Sequence, residues 1–166
     1  MQLKPEEYQA RLIKYAPMMQ LETLGLHHWG LSADDANIRF ISDTGNIILR
    51  ATTQEGNYCV RIYPDQTVSV PEIHGEMYWL IGLKQQTQLT VPQPLKTVTG
   101  QFVHQMFVPE LKDHFHVVLL DWVPGEILGS ALDVDSAGQL GDLMAELHTH
   151  AASFQLPADA MRDGTD

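Results

Sequence analysis

Three short runs of strand-forming residues, cut apart by two tight-turn sequences, constrain this chain more than any other feature. Asn37-Ile-Arg-Phe-Ile-Ser42 alternates, Ile47-Ile-Leu-Arg-Ala-Thr-Thr53 is rich in strand formers, and Tyr58-Cys-Val-Arg-Ile-Tyr63 continues the pattern. Between them lie Asp43-Thr44-Gly45-Asn46 and Gln54-Glu55-Gly56-Asn57, whose Gly and Asn suit sharp reversals. Strands joined this closely predict an antiparallel meander. With a side-chain period of two, Tyr58, Val60 and Ile62 face one side of the third strand and Arg61 the other.

The flanking sequence adds helices on either side. Pro5–Tyr15 opens at a proline, carries acidic residues first and basic ones later, and places Tyr8, Leu12 and Tyr15 on one face. A loop is expected around Gly25 to Gly30. Val70-Pro71-Glu72 starts a second helix whose buried stripe is Ile73, Met77, Leu80 and Ile81, with Trp79 beside it. Residues 95–98 and 101–107 read as a hairpin turning at Thr99-Gly100, and 116–121 as an apolar strand of a sheet interior. After Pro124-Gly125, Asp135 or Ser136 caps a last helix with Leu140, Leu143, Met144, Leu147 and Ala151 on one face. Residues 157–166 carry no core signal and are expected to fray. The order predicts an α+β fold with an antiparallel sheet of about five strands and packed helices.

Charge excludes two broad classes. Ten Lys and Arg against 21 Asp and Glu give a net charge of −11, the wrong sign for neutralising nucleic-acid phosphates or docking on an anionic membrane. The N-terminus has no apolar h-region and no apolar run is long enough to span a bilayer, so a cytoplasmic chain is expected. The single cysteine, Cys59, forms no intrachain disulfide and reads as a small packing residue. His114 and His116 share a strand face, whereas His148 and His150 diverge on a helix. With no cysteine cluster and no HExxH motif, a metal site is not expected.

The chemistry gathers around Arg61. A cation leaving the sheet, followed by a helix bearing Glu72 and Glu76 four residues apart, is what phosphoryl transfer uses to hold nucleotide phosphates. The same spacing also fits an ordinary surface ion pair, worth little.

Wider context connects these residues. Tyr58-Cys-Val-Arg-Ile-Tyr-Pro64, Glu72-Ile-His-Gly-Glu-Met-Tyr-Trp-Leu80 and Val91-Pro-Gln-Pro-Leu95 resemble the N-lobe of the aminoglycoside phosphotransferase and choline/homoserine kinase superfamily, which has a protein-kinase-like fold. Val118-Leu-Leu-Asp-Trp-Val-Pro-Gly-Glu126 is similar to that family's inter-lobe linker, and Leu140-Gly-Asp-Leu-Met-Ala-Glu-Leu-His148 to its first C-lobe helix. The resemblance implies a kinase-like N-lobe over 1–119, a hinge over 120–134, a first C-lobe-type helix over 135–156 and a tail over 157–166. It implies that Arg61 is the phosphate-binding cation, in place of the commoner Lys, held by Glu76, with Glu72 as the alternative. Asn46, with Gly45 and Thr44, would cover the phosphates. Leu120, Asp121, Trp122 and Val123 would form the hinge that reads adenine, with Trp122 beside the base.

The family's catalytic loop, a His-Gly-Asp-like sequence followed by Asn and a later metal-binding Asp, has no counterpart after His148. The resemblance therefore implies ATP binding and a parent activity of phosphorylating a small-molecule hydroxyl, with magnesium only if a second lobe is supplied. Three readings stay open: a truncated phosphotransferase inactive alone, a non-catalytic nucleotide- or protein-binding module acting through oligomerisation, or a chain completed by another. The exposed stripe of the last helix, over 137–151, predicts self-association or a partner chain.

Overall fold

The computed structural model describes residues 4–20, 24–64, 68–125 and 133–161. Strands β1 (Asn37–Ser42), β2 (Ile47–Thr52) and β3 (Asn57–Pro64) form the expected meander, preceded by helix α1 (Pro5–Tyr15). Helix α2 (Val70–Gln86) follows, then β4 (Pro94–Leu95), β5 (His104–Val108), β6 (Asp113–Asp121) and helix α3 (Val134–Ser153). All pairings are antiparallel, in the order β1-β2-β3-β6-β4, with β5 also on β6.

Register follows burial. Leu49 faces Phe40 on one side and Val60 on the other, and Val60 faces Leu119, which puts one apolar row on one side of the sheet. A one-residue slip would turn that row to the other side. Tyr15, Met18, Leu26 and Trp29 cover it, with the Tyr15 ring stacked on Phe40 at 5.7 Å. On the opposite side Tyr63, Val118 and Leu120 pack with Ile73, Met77 and Leu80 of α2 and with Phe102. Each side of the sheet thus has its own core.

The sheet has six strands among the described residues, in keeping with the expected five or so. The structure corrects two sequence expectations. A tight turn does occur near Thr99-Gly100, where Thr97 N–H donates to the Gln101 carbonyl at 2.7 Å, but the strands on either side, β4 and β5, do not pair with each other. Instead β5 turns at Pro109 and Lys112 to pair with the first part of β6, while β4 pairs with Leu119 and Leu120 further along. Nine-residue β6 is long enough to serve both partners along one edge. Finally, α3 is capped by Asp133, whose carboxylate accepts from Ser136 N–H at 2.8 Å, two residues before the earliest expected cap.

The loop at Gly25 to Gly30 is a 3-10 turn, Leu26–Trp29, with both glycines at positive φ. It brings His28 against His104 of β5, ring centroids 3.8 Å apart, with His27 4.2 Å from His28. Burial first, then the neighbouring His28 and His27, lowers the His104 pKa from its usual value near 6.5 to about 4. Between those values the unfolded chain binds the proton and the folded chain does not. Stability contributed by neutral His104 is complete above pH 6.5 and is lost as pH falls toward 4. The melting temperature is expected to drop across that window, and His104→Phe to flatten the drop when the two are compared by circular dichroism.

Candidate nucleotide-binding site

The turn between β1 and β2 is anchored from outside the sheet. Asp43 accepts the Tyr15 hydroxyl at 2.9 Å and forms an ion pair with Arg11, so α1 grips the turn's first residues. Gly45 then takes φ 103°, a conformation that side chains disfavour. Thr44, Gly45 and Asn46 form one lip of a cleft of about 820 Å³. Its other walls come from Tyr63 of β3, Glu72, Glu76 and Trp79 of α2, and Phe154, Leu156 and Met161.

Arg61 lies in the middle of the sheet, facing Ile48 on β2 and Val118 on β6. Its guanidinium pairs with Glu76 and donates to the Tyr63 hydroxyl at 3.2 Å. Tyr63 in turn donates to the second oxygen of Glu76 at 2.7 Å. Burial pushes the Tyr63 phenol up, opposed by the Arg61 charge, which keeps the proton this bond needs. Glu72 is engaged elsewhere: its carboxylate accepts Ser69 N–H at 2.7 Å while Ser69 caps the helix start. One helical turn on, Glu76 is therefore the carboxylate that meets the cation.

The hinge residues occupy distinct positions. Leu120 is fully buried beneath α2. Asp121 N–H donates to the Gln93 carbonyl at 2.9 Å and Trp122 N–H to the Asn57 carbonyl at 3.2 Å, so both amides are engaged within the chain. The Arg50 guanidinium lies over the Trp122 ring at 4.7 Å and is held by Asn57. None of Leu120, Asp121, Trp122 and Val123 lines the cleft. The rest of the expected hinge, 126–132, lies outside the described residues, as does the tail over 162–166.

A profile described as the phosphotransferase enzyme family matches residues 38–166. The chain belongs to that family. Among solved structures, a microcompartment-associated aminopropanol kinase is similar at 25% identity and TM-score 0.72, over 88% of this chain. An amicoumacin kinase in complex with AMP-PNP, Ca2+ and Ami shares the fold at 20% identity and TM-score 0.62, over 92% of this chain. A spectinomycin phosphotransferase in complex with ADP and its antibiotic does so at 17% identity and TM-score 0.55, over 82%. The chain covers 44%, 44% and 38% of those three, under half the length of each. No curated protein matches it.

For a member of the phosphotransferase enzyme family, the mixed α+β architecture with its antiparallel sheet is the kinase-like N-lobe fold. Sequence reasoning missed Tyr63 as the third member of the Arg61–Glu76 group. The two-residue step from Arg61, which puts both on one strand face, is the signal that carried it. On that same face Ile48 of β2 lies opposite Arg61 and Cys59 lies opposite Leu120, both half-buried. Burial pushes the Cys59 thiol up, as suits a packing residue. Among the described residues, no group of three or more His, Cys, Asp or Glu is arranged to hold a metal ion, and no helix is long and apolar enough to cross a membrane.

Proposed function

We propose that this chain is the ATP-binding half of a phosphotransferase that phosphorylates a small-molecule hydroxyl. The observation that carries the reading is the fixed Arg61–Glu76–Tyr63 group, whose Glu76 and Tyr63 line a cleft with the Thr44-Gly45-Asn46 turn as its lip. Phosphoryl transfer asks a protein mainly for positioning and charge neutralisation. An arginine keeps its charge at any working pH and can grip phosphate oxygens through two N–H groups. Its burial also carries a cost: Nε has no hydrogen-bond partner among the described residues, a loss of about 1–3 kcal/mol. Retaining a cation at that cost supports a functional role over a packing one.

In this reading the cleft takes the phosphates, and Ile48, Cys59 and the hinge take the base. With the amides of Asp121 and Trp122 engaged, Val123 N–H and the hinge carbonyls are the groups that meet adenine. Among the described residues no group of three or more His, Cys, Asp or Glu is placed to hold a metal ion, and this reading assigns them no part in activating the acceptor hydroxyl. The amicoumacin kinase, solved with AMP-PNP and Ca2+, supports a nucleotide ligand. The alternative of a module working through association draws on α3, where Leu140, Leu143 and Met144 are 51%, 41% and 44% exposed. Such a stripe suits cover by a partner chain or a second copy.

Isothermal titration calorimetry with MgATP tests the proposal. Saturable one-to-one binding in the micromolar to millimolar range is expected. Absence of heat with ATP, GTP and ADP alike would leave the association reading in its place.

A further inference from the structure

The side of α2 turned away from the sheet is narrow at two points. Gly75 and Gly82 are seven residues apart and fall on one line of the helix. A Cβ at Gly75 would overlap the Met161 carbonyl oxygen, and one at Gly82 would overlap the Phe154 ring. Between them the Tyr78 hydroxyl donates to Asp159 at 3.3 Å, and Trp79 Nε1 donates to His150 Nδ1 at 3.1 Å. The helix start is tied as well, by Met161 N–H donating to the Pro71 carbonyl at 2.9 Å. Residues 150–161 therefore follow α2 along most of its length. The stretch 157–161, expected from sequence to lack contacts, is part of this packing. Glycine inside a helix weakens it, and two are kept here where a Cβ has no room.

Glu76 lies beside the glycine line. By the helix period it falls between that line and the core stripe of Ile73, Met77 and Leu80, on the edge facing the cleft. The stripe holds α2 to the sheet, but aliphatic contacts are non-directional and by themselves fix the helix's roll about its axis only loosely. Contact on the opposite side removes that freedom. A roll carries Glu76 away from Arg61, because their pairing depends on a short N–O separation.

We propose that residues 154–161 are a positioning segment, acting through Gly82 and Gly75, that sets the roll of α2 so that Glu76 meets Arg61. Phe154, Asp159 and the Met161 backbone are its contact points; Phe154 and Met161 also line the cleft, so the Arg61 signal rather than nucleotide affinity separates positioning from direct contact. The consequence for binding rests on the ATP-site reading above, while the geometry of the ion pair does not.

The test reads the guanidinium whose Nη1 makes the pair, through the side-chain Nε–H resonances of arginine in the 15N-labelled full chain. Arg61→Lys identifies the Arg61 signal, and Glu76→Gln gives its position without the pair. Phe154→Ala is expected to move the signal at least halfway to the Glu76→Gln position and to raise the MgATP Kd about tenfold. Phe154→Leu, which restores bulk, is expected to bring both back. If Phe154→Ala does not fold, Asp159→Ala, at an exposed residue, is expected to move the signal in the same direction by less. An Arg61 signal at its wild-type position in the folded variant overturns the proposal. Should the wild-type chain bind no nucleotide, the ATP reading fails while the resonance still decides this one.

Discussion

Replacing Arg61 by alanine is expected to remove nearly all affinity for MgATP while leaving the fold in place. Removing one partner of a desolvated, hydrogen-bonded charge contact costs about 2–5 kcal/mol, roughly 30- to several-thousand-fold in Kd. Stability responds far less. Glu76 keeps the Tyr63 hydroxyl and is 34% exposed, so its charge can turn to water. The unpartnered Arg61 Nε disappears with the side chain. Arg61→Lys should fall between, because an ammonium keeps the charge but loses the planar fork. Calorimetry read beside circular dichroism separates the two effects. An Arg61→Ala protein that binds MgATP as tightly as wild type would refute the assignment of the cation.

Leu119→Ala should give the largest loss of stability from one side chain, about 3–4 kcal/mol. Leu119 is fully buried, faces Val60 on β3 and Leu95 on β4, and sits in the core beneath α1. Truncation leaves a cavity that three strands cannot close together, since each is held by its own ladder of hydrogen bonds. For a chain of this size the melting temperature should fall by about 6–16 °C. Urea denaturation monitored by tryptophan fluorescence measures it, and a loss below about 1 kcal/mol would show that the core collapses around the gap.

The parts of this fold that were legible in the sequence are those where local chemistry and global packing agree. The β1-β2-β3 meander was readable because Gly and Asn mark its turns and its strands alternate. Pro5 and Pro71 announced the starts of α1 and α2. The pairing of β6 was hidden for the opposite reason. Residues 115–120 are buried without a break, so a period of two carries no information about which strand lies on which edge. The β5–β6 reversal was missed because Pro109-Glu-Leu-Lys112 contains no glycine, Lys112 itself adopting φ 53°.

At the candidate site, Arg61 and Glu76 were legible as a pair, although the choice between Glu72 and Glu76 was settled only when the Ser69 capping box claimed Glu72. The engagement of the Asp121 and Trp122 amides could not be read, because it depends on Gln93 and Asn57, which are distant in sequence. The role of Gly75 and Gly82 was likewise invisible. In sequence they are helix-weakening residues, and only the approach of residues 154–161 gives them a purpose.

The sharing of β6 has a consequence for how this chain is made. Strands β1 to β3 are the first to leave a ribosome, and β3 then exposes a long edge whose partner lies about sixty residues downstream. Completion of β4 and β5 does not help, because among the described residues both pair only with β6. Until Asp121 has emerged, the nascent meander has an open, apolar border of the kind that recruits other chains. Closure of the sheet on β6 is a late event that completes the pairing of β3, β4 and β5. Pausing or chaperone capture is therefore best timed to that interval of synthesis.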